Sequence, residues 1–166
     1  ACPLWLGLDS LDHAMDRILD ARGPAGHHAI TMTGELTDYF PDREHGVLAL
    51  TAAMVQRLGA GRVRVFAGQD GFIPAENLLP ADTRQVASAN WLASGLWAAR
   101  RLGEALFIDI GSTTTDLLPI RRHRVEYRGY TDSERMGYDE LIYCGVTRTP
   151  AMMFAPQAPL EGRWAG

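Results

Sequence analysis

Apolar residues recur mostly at three- and four-residue intervals from Leu4 to Arg22, through Trp5, Leu8, Leu11, Met15, Ile18 and Leu19. This is the spacing of one face of an amphipathic helix, and Arg22-Gly23-Pro24 ends it. His28 to Thr33 alternates and carries β-branched Ile30, Thr31 and Thr33, predicting a buried strand with Gly34 turning the chain. A second helix is predicted from Pro41-Asp42-Arg43-Glu44, whose early acids suit the positive helix N-terminus, to about Leu58, where Gly59-Ala60-Gly61 stops it. Arg62 to Ala67 has period-two alternation, and Gln69-Asp70-Gly71 supplies turn chemistry before Phe72-Ile73. Thr83 to Leu102 is apolar and alanine-rich and predicts one long, largely buried helix that Gly103 caps.

Beyond it, Ala105 to Ile110 and Thr114 to Ile120 read as strands joined by a Gly-Ser-Thr corner. Arg121-Arg122-His123-Arg124 is a polar turn into a third strand, Val125 to Tyr127. Asp132 to Tyr143 has helical spacing through Met136, Leu141 and Ile142, and an apolar tail without a clear period follows. Strands alternating with helices and then a hairpin-rich segment predict a mixed α/β fold, a mixed sheet with flanking helices.

The length of 166 residues, with 46% hydrophobic and 22% charged residues, is that of one soluble globular unit. Apolar runs such as Ala105 to Ile108 stop far short of the roughly 20 residues that a membrane span needs, so a cytoplasmic protein without a membrane partner is expected. All 16 basic residues are arginine. Without lysine there is no Walker A loop, no pyridoxal Schiff base and no lysine-dependent aldolase chemistry. The arginines are scattered in a chain of net charge -4, which argues against a nucleic-acid partner. Cys2 and Cys144 lie far apart with no Cys-x-x-Cys, which points to neither a disulfide framework nor a zinc site. The opening Ala1-Cys2-Pro3 and the closing Arg163-Trp164-Ala165-Gly166 read as an excerpt of a longer, two-lobed protein.

Candidate chemistry concentrates between Leu106 and Ile120. A hydrophobic strand delivers Asp109, Gly111 makes a corner, Ser112, Thr113 and Thr114 line it, and Asp116 follows. Glycine permits close backbone approach, so successive N–H groups can point at an anion, and small hydroxyls add donors with little bulk. Carboxylates repel phosphate but hold Mg²⁺, which bridges to phosphate oxygens. Asp109 and Asp116 are therefore the candidate catalytic residues, Asp109 the candidate metal ligand, and Gly111, Ser112, Thr113 and Thr114 the candidate phosphate-binding set. The bland reading is a threonine-rich hairpin with solvated aspartates.

The same residues resemble the second phosphate motif of the actin, sugar-kinase and heat-shock ATPase superfamily, the actin-like (ribonuclease H-like) fold, with its Asp-x-Gly-Gly/Ser-x-Thr-x-Asp core on a β-hairpin. Within it the chain is similar to the hydantoinase/oxoprolinase branch. More narrowly it resembles proteins linked to tetrahydromethanopterin-dependent one-carbon transfer and related to an enzyme of methanofuran biosynthesis. That likeness is carried by Cys2-Pro3-Leu4-Trp5, Met32-Thr33-Gly34-Glu35-Leu36, Phe40-Pro41-Asp42-Arg43, Ala89-Asn90-Trp91, the Asp109 run, Thr131-Asp132 and Thr147-Arg148-Thr149-Pro150. The resemblance implies a Mg²⁺-dependent transferase that takes a small-molecule diphosphate substrate, condensing a furan methyl diphosphate with γ-glutamyltyramine and releasing pyrophosphate. The alternatives it implies are an ATP-dependent ring-opening hydrolase and a non-catalytic scaffold of the same fold. Ser112 and Thr113 stand where nucleotide-cleaving relatives have glycine, which leaves ATP as a cofactor open.

Secondary candidates are Thr33, Gly34 and Glu35, which either cap a helix or line a cleft at the end of a strand, and Asn90, which either bonds backbone from a helix face or orients substrate. Arg148 is the arginine candidate by its place in the resemblance. Trp91 and Trp97 read as core, and the Arg121 to Arg124 run as a solvated turn.

Overall fold

The computed structural model describes residues 2–23, 25–150, 153, 157–160 and 162–165. The chain divides into two units, Ala1–Ala93 and Ser94–Gly166.

In the first unit a 3₁₀ turn, Leu4–Leu6, precedes α1 (Asp9–Arg22). The helix starts later than its apolar period because Gly7, at φ 115°, takes a backbone conformation that no helix accommodates. The strand expected over His28 to Thr33 is shorter, β1 (His28–Ile30). Helix α2 (Arg43–Leu58) starts where Asp42 caps it, the His45 N–H donating to Asp42 Oδ1 at 2.8 Å. It crosses over to β2 (Val63–Phe66), which is parallel to β1, and β3 (Phe72–Pro74) returns antiparallel. Alternation in β2 buries Val63 and Val65 beneath α2's Val47 and Leu50, and leaves Arg64 outside. Each such aliphatic contributes roughly 1.5–3 kcal/mol by leaving water. A Cβ on Gly46 would lie 2.6 Å from the Glu35 carbonyl oxygen, so glycine lets α2 close on the 3₁₀ turn Gly34–Leu36.

The single helix expected from Thr83 to Leu102 is two helices, α3 (Thr83–Val86) and α4 (Asn90–Ala99). Ser88 between them is left-handed, φ 51°, and its N–H and Oγ both donate to Glu35 Oε1, at 2.9 and 3.0 Å. A partner distant in sequence overrides the helical period there. Trp91 is core, but Trp97 is 60% exposed, with the Arg101 guanidinium stacked on its ring.

The second unit is built on the antiparallel meander β4 (Glu104–Ile110), β5 (Thr115–Arg121) and β6 (Arg124–Val125). Arg122 and His123, at φ 52° and 62°, form the tight two-residue turn between β5 and β6. Helix α5 (Asp132–Gly137) ends earlier than the period suggests, with Asp139 at φ 57°, and β7 (Leu141–Ile142) then pairs with the start of β5. Phe107, Leu118 and Ile120 share one face, on which Gly95, Ala98 and Ala99 of α4 allow close packing; a Cβ on Gly95 would lie 2.9 Å from Leu118. The uninterrupted apolar run of β4 predicts burial on both faces, yet Leu106, Ile108 and Ile110 on the other face are at least half exposed among the described residues. The apolar tail carries a short hairpin, β8 (Ala158–Leu160) with β9 (Arg163–Ala165). No described helix is long and apolar enough to cross a membrane.

Candidate active site

The β4–β5 hairpin sets Asp109 directly opposite Asp116, on the face shared with Phe107 and Leu118. Beyond them Ile110 pairs with Thr115, and the Gly111 N–H donates to the Thr114 carbonyl at 2.8 Å, closing the corner. A Cβ on Gly111 would lie 3.3 Å from that carbonyl oxygen, so the tightness of the turn favours glycine.

The corner's two exposed peptides are oriented by a distant segment. The Gly111 carbonyl accepts the Val146 N–H at 3.0 Å. The Ser112 carbonyl accepts three donors, the Thr147 N–H at 3.0 Å, the Arg148 N–H at 2.9 Å and the Thr147 hydroxyl at 3.0 Å. Every described peptide is trans, and a trans peptide points its C=O and N–H in opposite directions. The Ser112 and Thr113 N–H groups therefore face away from residues 146–148, and neither has an acceptor among the described residues. Ser112 Oγ and Thr113 Oγ1 lie 3.4 Å apart and add hydroxyl donors. Two successive outward amides with hydroxyls beside them are the donor pattern found in backbone anion sites.

The two aspartates differ in their surroundings. Arg135 Nη1 donates to Asp116 Oδ1 at 2.7 Å, and Nη2 to the Glu140 carbonyl at 3.0 Å. Burial raises the Asp116 carboxyl above the ordinary aspartate value, the Arg135 bond and charge oppose that, and the charges of Asp109 and Asp132 add to the rise. Arg135 thus offsets the like-charge cost of facing carboxylates. Asp109 is half-buried at the mouth of the hairpin. Among the described residues no group of three or more His, Cys, Asp and Glu could hold a metal. Asp109 alone could still serve Mg²⁺, because that ion takes one or two carboxylates and completes its shell with water and substrate phosphate.

Arg135 is placed by a chain of local devices. Thr131 Oγ1 accepts the Glu134 N–H at 3.3 Å, while Glu134 Oε2 accepts the Thr131 and Tyr130 N–H groups, each at 3.0 Å. This capping box starts α5. A Cβ on Gly129 would lie 2.5 Å from the Arg135 nitrogen, and the Glu140 carboxylate accepts the Arg128 and Gly129 N–H groups at 2.7 and 3.1 Å.

The structure brings Asp109, Gly111, Ser112, Thr113, Thr114 and Asp116 together as the pattern predicts, and adds Arg148, whose backbone N–H is bound to the corner. Thr33, Gly34, Glu35 and Asn90 belong to the first unit. There Thr33 makes no side-chain capping bond, Gly34 sits under Leu4, and Glu35 is 1% exposed with Oε2 lacking a hydrogen-bond partner among the described residues. Asn90 opens α4. Sequence reasoning missed Arg135 and the contact of residues 145–147 with the corner. The Thr-x-x-Glu box at Thr131 was a readable signal that a helix begins there, and hence that Arg135 lies in its first turns. Nothing local marks the contact of residues 145–147.

Comparison with known proteins places these features in a family context. A family model described as Hydantoinase/oxoprolinase matches residues 27–157. The chain is also 27% identical over 161 residues to the (4-{4-[2-(gamma-L-glutamylamino)ethyl]phenoxymethyl}furan-2-yl)methanamine synthase of Methanocaldococcus jannaschii. That alignment covers 97% of this chain and 47% of the synthase, so the chain spans about half the length of the curated relative it matches.

Proposed function

The chain belongs to the hydantoinase/oxoprolinase family, and from that premise we propose that it is the phosphate-binding portion of a transferase of methanofuran-type cofactor biosynthesis. Its substrates are a furan methyl diphosphate and γ-glutamyltyramine. In the reaction the phenol oxygen forms a C–O bond to the furan methylene carbon, the bond from that carbon to the diphosphate oxygen breaks, the pyrophosphate leaves with the electron pair and the phenolic proton passes to solvent. The observation that carries this reading is the pair of outward amides at Ser112 and Thr113, at the corner of the hairpin whose strands carry Asp109 and Asp116.

The residues' roles follow from that geometry. The two amides and the Ser112 and Thr113 hydroxyls bind the departing phosphate oxygens, where charge accumulates in the transition state and preorganised donors act most strongly. Asp109 would hold Mg²⁺, which when bound neutralises phosphate charge. Asp116 and Arg135 hold the mouth of the hairpin and keep Asp109 apart from a second free carboxylate. The step requires no covalent nucleophile from the protein. The motif further supports an actin-like fold.

Supplying both substrates and Mg²⁺ and measuring pyrophosphate tests the reading: stoichiometric pyrophosphate and ether product are expected, and their absence from the protein together with the remaining half found in its relative would contradict it. The family description favours a second reading, an ATP-dependent ring-opening hydrolase, for which phosphate release would require ATP and a cyclic amide instead.

A further inference from the structure

We infer that the segment Gly145–Arg148 is the positioning element of the corner, deciding which way two peptide planes face and hence that the corner binds an anion. The inference rests on the phosphate-binding reading above and names the part of the chain that creates it. Ser112 has one carbonyl, and three donors of the segment converge on it. If that peptide turned over, its carbonyl would face the ligand and repel phosphate, while Thr113's amide would be lost to the interior of the contact. The hydroxyl of Thr147, separated by 35 residues from Ser112, is the side-chain component of that restraint.

Gly145 makes the approach possible. A Cβ there would lie 2.5 Å from the Ser112 carbonyl carbon and 2.6 Å from its oxygen, and closer still to the Thr113 nitrogen. Those nearly equal distances place it over the face of the Ser112–Thr113 peptide. Any residue with a side chain would force backbone to shift, because all three atoms belong to the corner's main chain. The Gly145 N–H, donating to the Arg148 carbonyl at 3.2 Å, folds the segment into its own tight turn. The corner is therefore a two-segment site whose ligand, a phosphate group of a diphosphate, touches only one of the segments.

The test uses Thr147→Val, Thr147→Ser and Gly145→Ala, with pyrophosphate and Mg²⁺ as the probe in titration calorimetry. Thr147→Val should weaken pyrophosphate binding about fivefold, the equivalent of one ordinary hydrogen bond, Thr147→Ser should restore it, and Gly145→Ala should weaken it more. Residual dipolar couplings of the Ser112 and Thr113 N–H vectors without ligand should change in Thr147→Val and return in Thr147→Ser. Unchanged couplings in Thr147→Val, or unchanged affinity in a wild-type-like binder, overturn the positioning role. If the wild-type chain fails to bind pyrophosphate while the couplings still change as stated, the phosphate reading fails and the orienting role stands. Should Gly145→Ala not fold, the valine and serine pair decides the question alone.

Discussion

Arg135 donates from Nη1 to Oδ1 of Asp116 at 2.7 Å while itself only 1% exposed, so a fully buried guanidinium holds one of the two aspartates that face each other across the hairpin. A buried ion pair of this kind adds little net stability over a well-packed apolar pair, but losing one partner is costly. The pair therefore divides the labour at the site. Asp116 is held in place, and on the proposed reading Asp109 is the carboxylate that meets the ligand.

Arg135→Met should destabilise the protein by about 3–5 kcal/mol at neutral pH, since it leaves the Asp116 carboxylate buried without its cation. The folded Asp116 value is already raised above the ordinary 3.8, so the folded state binds this proton more tightly than the unfolded chain does. Its contribution is thus present below about 3.8 and lost as pH rises through the folded value. Urea unfolding should show a larger loss for Arg135→Met at neutral pH than in mild acid, and Asp116→Leu/Arg135→Met should recover much of it. Equal losses at both pH values would show that the carboxylate charge is not what Arg135 compensates.

The capping box at α5 gives the opposite pH sign. Backbone N–H groups of Thr131 and Tyr130 lower the Glu134 carboxyl below the ordinary 4.5, so its support for α5 is present above that value and lost as pH falls through the lower folded one. Thr131→Ala should cost about 1 kcal/mol and speed exchange of the Arg135 amide. An unchanged exchange rate would mean that the box does not position Arg135.

At the start of α2, the hydrogen bond and charge of Asp42 raise the His45 value above 6.5, and the His45 backbone and side-chain bonds lower the Asp42 value below 3.8. Asp42's support is present above its unfolded value and lost as pH falls through the folded one; His45's is present below 6.5 and lost as pH rises through its raised value. Amide exchange in the first turn of α2 should be slowest between those limits. A rate that stays flat, after correction for intrinsic exchange, would refute the pairing.

Much of the fold was legible because its causes are local. Asp42 caps α2 from its own position, Arg122 and His123 close their own turn, and Gly111 with the hydroxyl residues after it marks the corner between β4 and β5. What the sequence hid depends on distant partners. The helical period runs unbroken through Ser88, yet Glu35, 53 residues away, takes its N–H and hydroxyl and breaks the helix. Arg135 looks like any helical arginine until β5 brings Asp116 beneath it, and Gly145 resembles an ordinary loop glycine until it meets Ser112.

The Ser88 break yields its own prediction. Glu35→Ala removes the acceptor of two donors and should cost about 1–3 kcal/mol, whereas Glu35→Gln, which keeps a carbonyl acceptor for both, should cost less. Thermal unfolding of the two variants checks this, and equal losses would mean that Glu35 acts through its charge or its packing rather than through Ser88.

The central claim is that the outward amides at the corner receive a phosphate group. Titrating ¹⁵N-labelled protein with pyrophosphate and Mg²⁺ tests it most directly. The Ser112 and Thr113 amide resonances should move together, saturably and more than those elsewhere in the chain, and Asp109→Asn should abolish the Mg²⁺-dependent part of the response while its thermal midpoint stays near wild type. Saturable shifts elsewhere with Ser112 and Thr113 unmoved, or no response at all, would contradict the account.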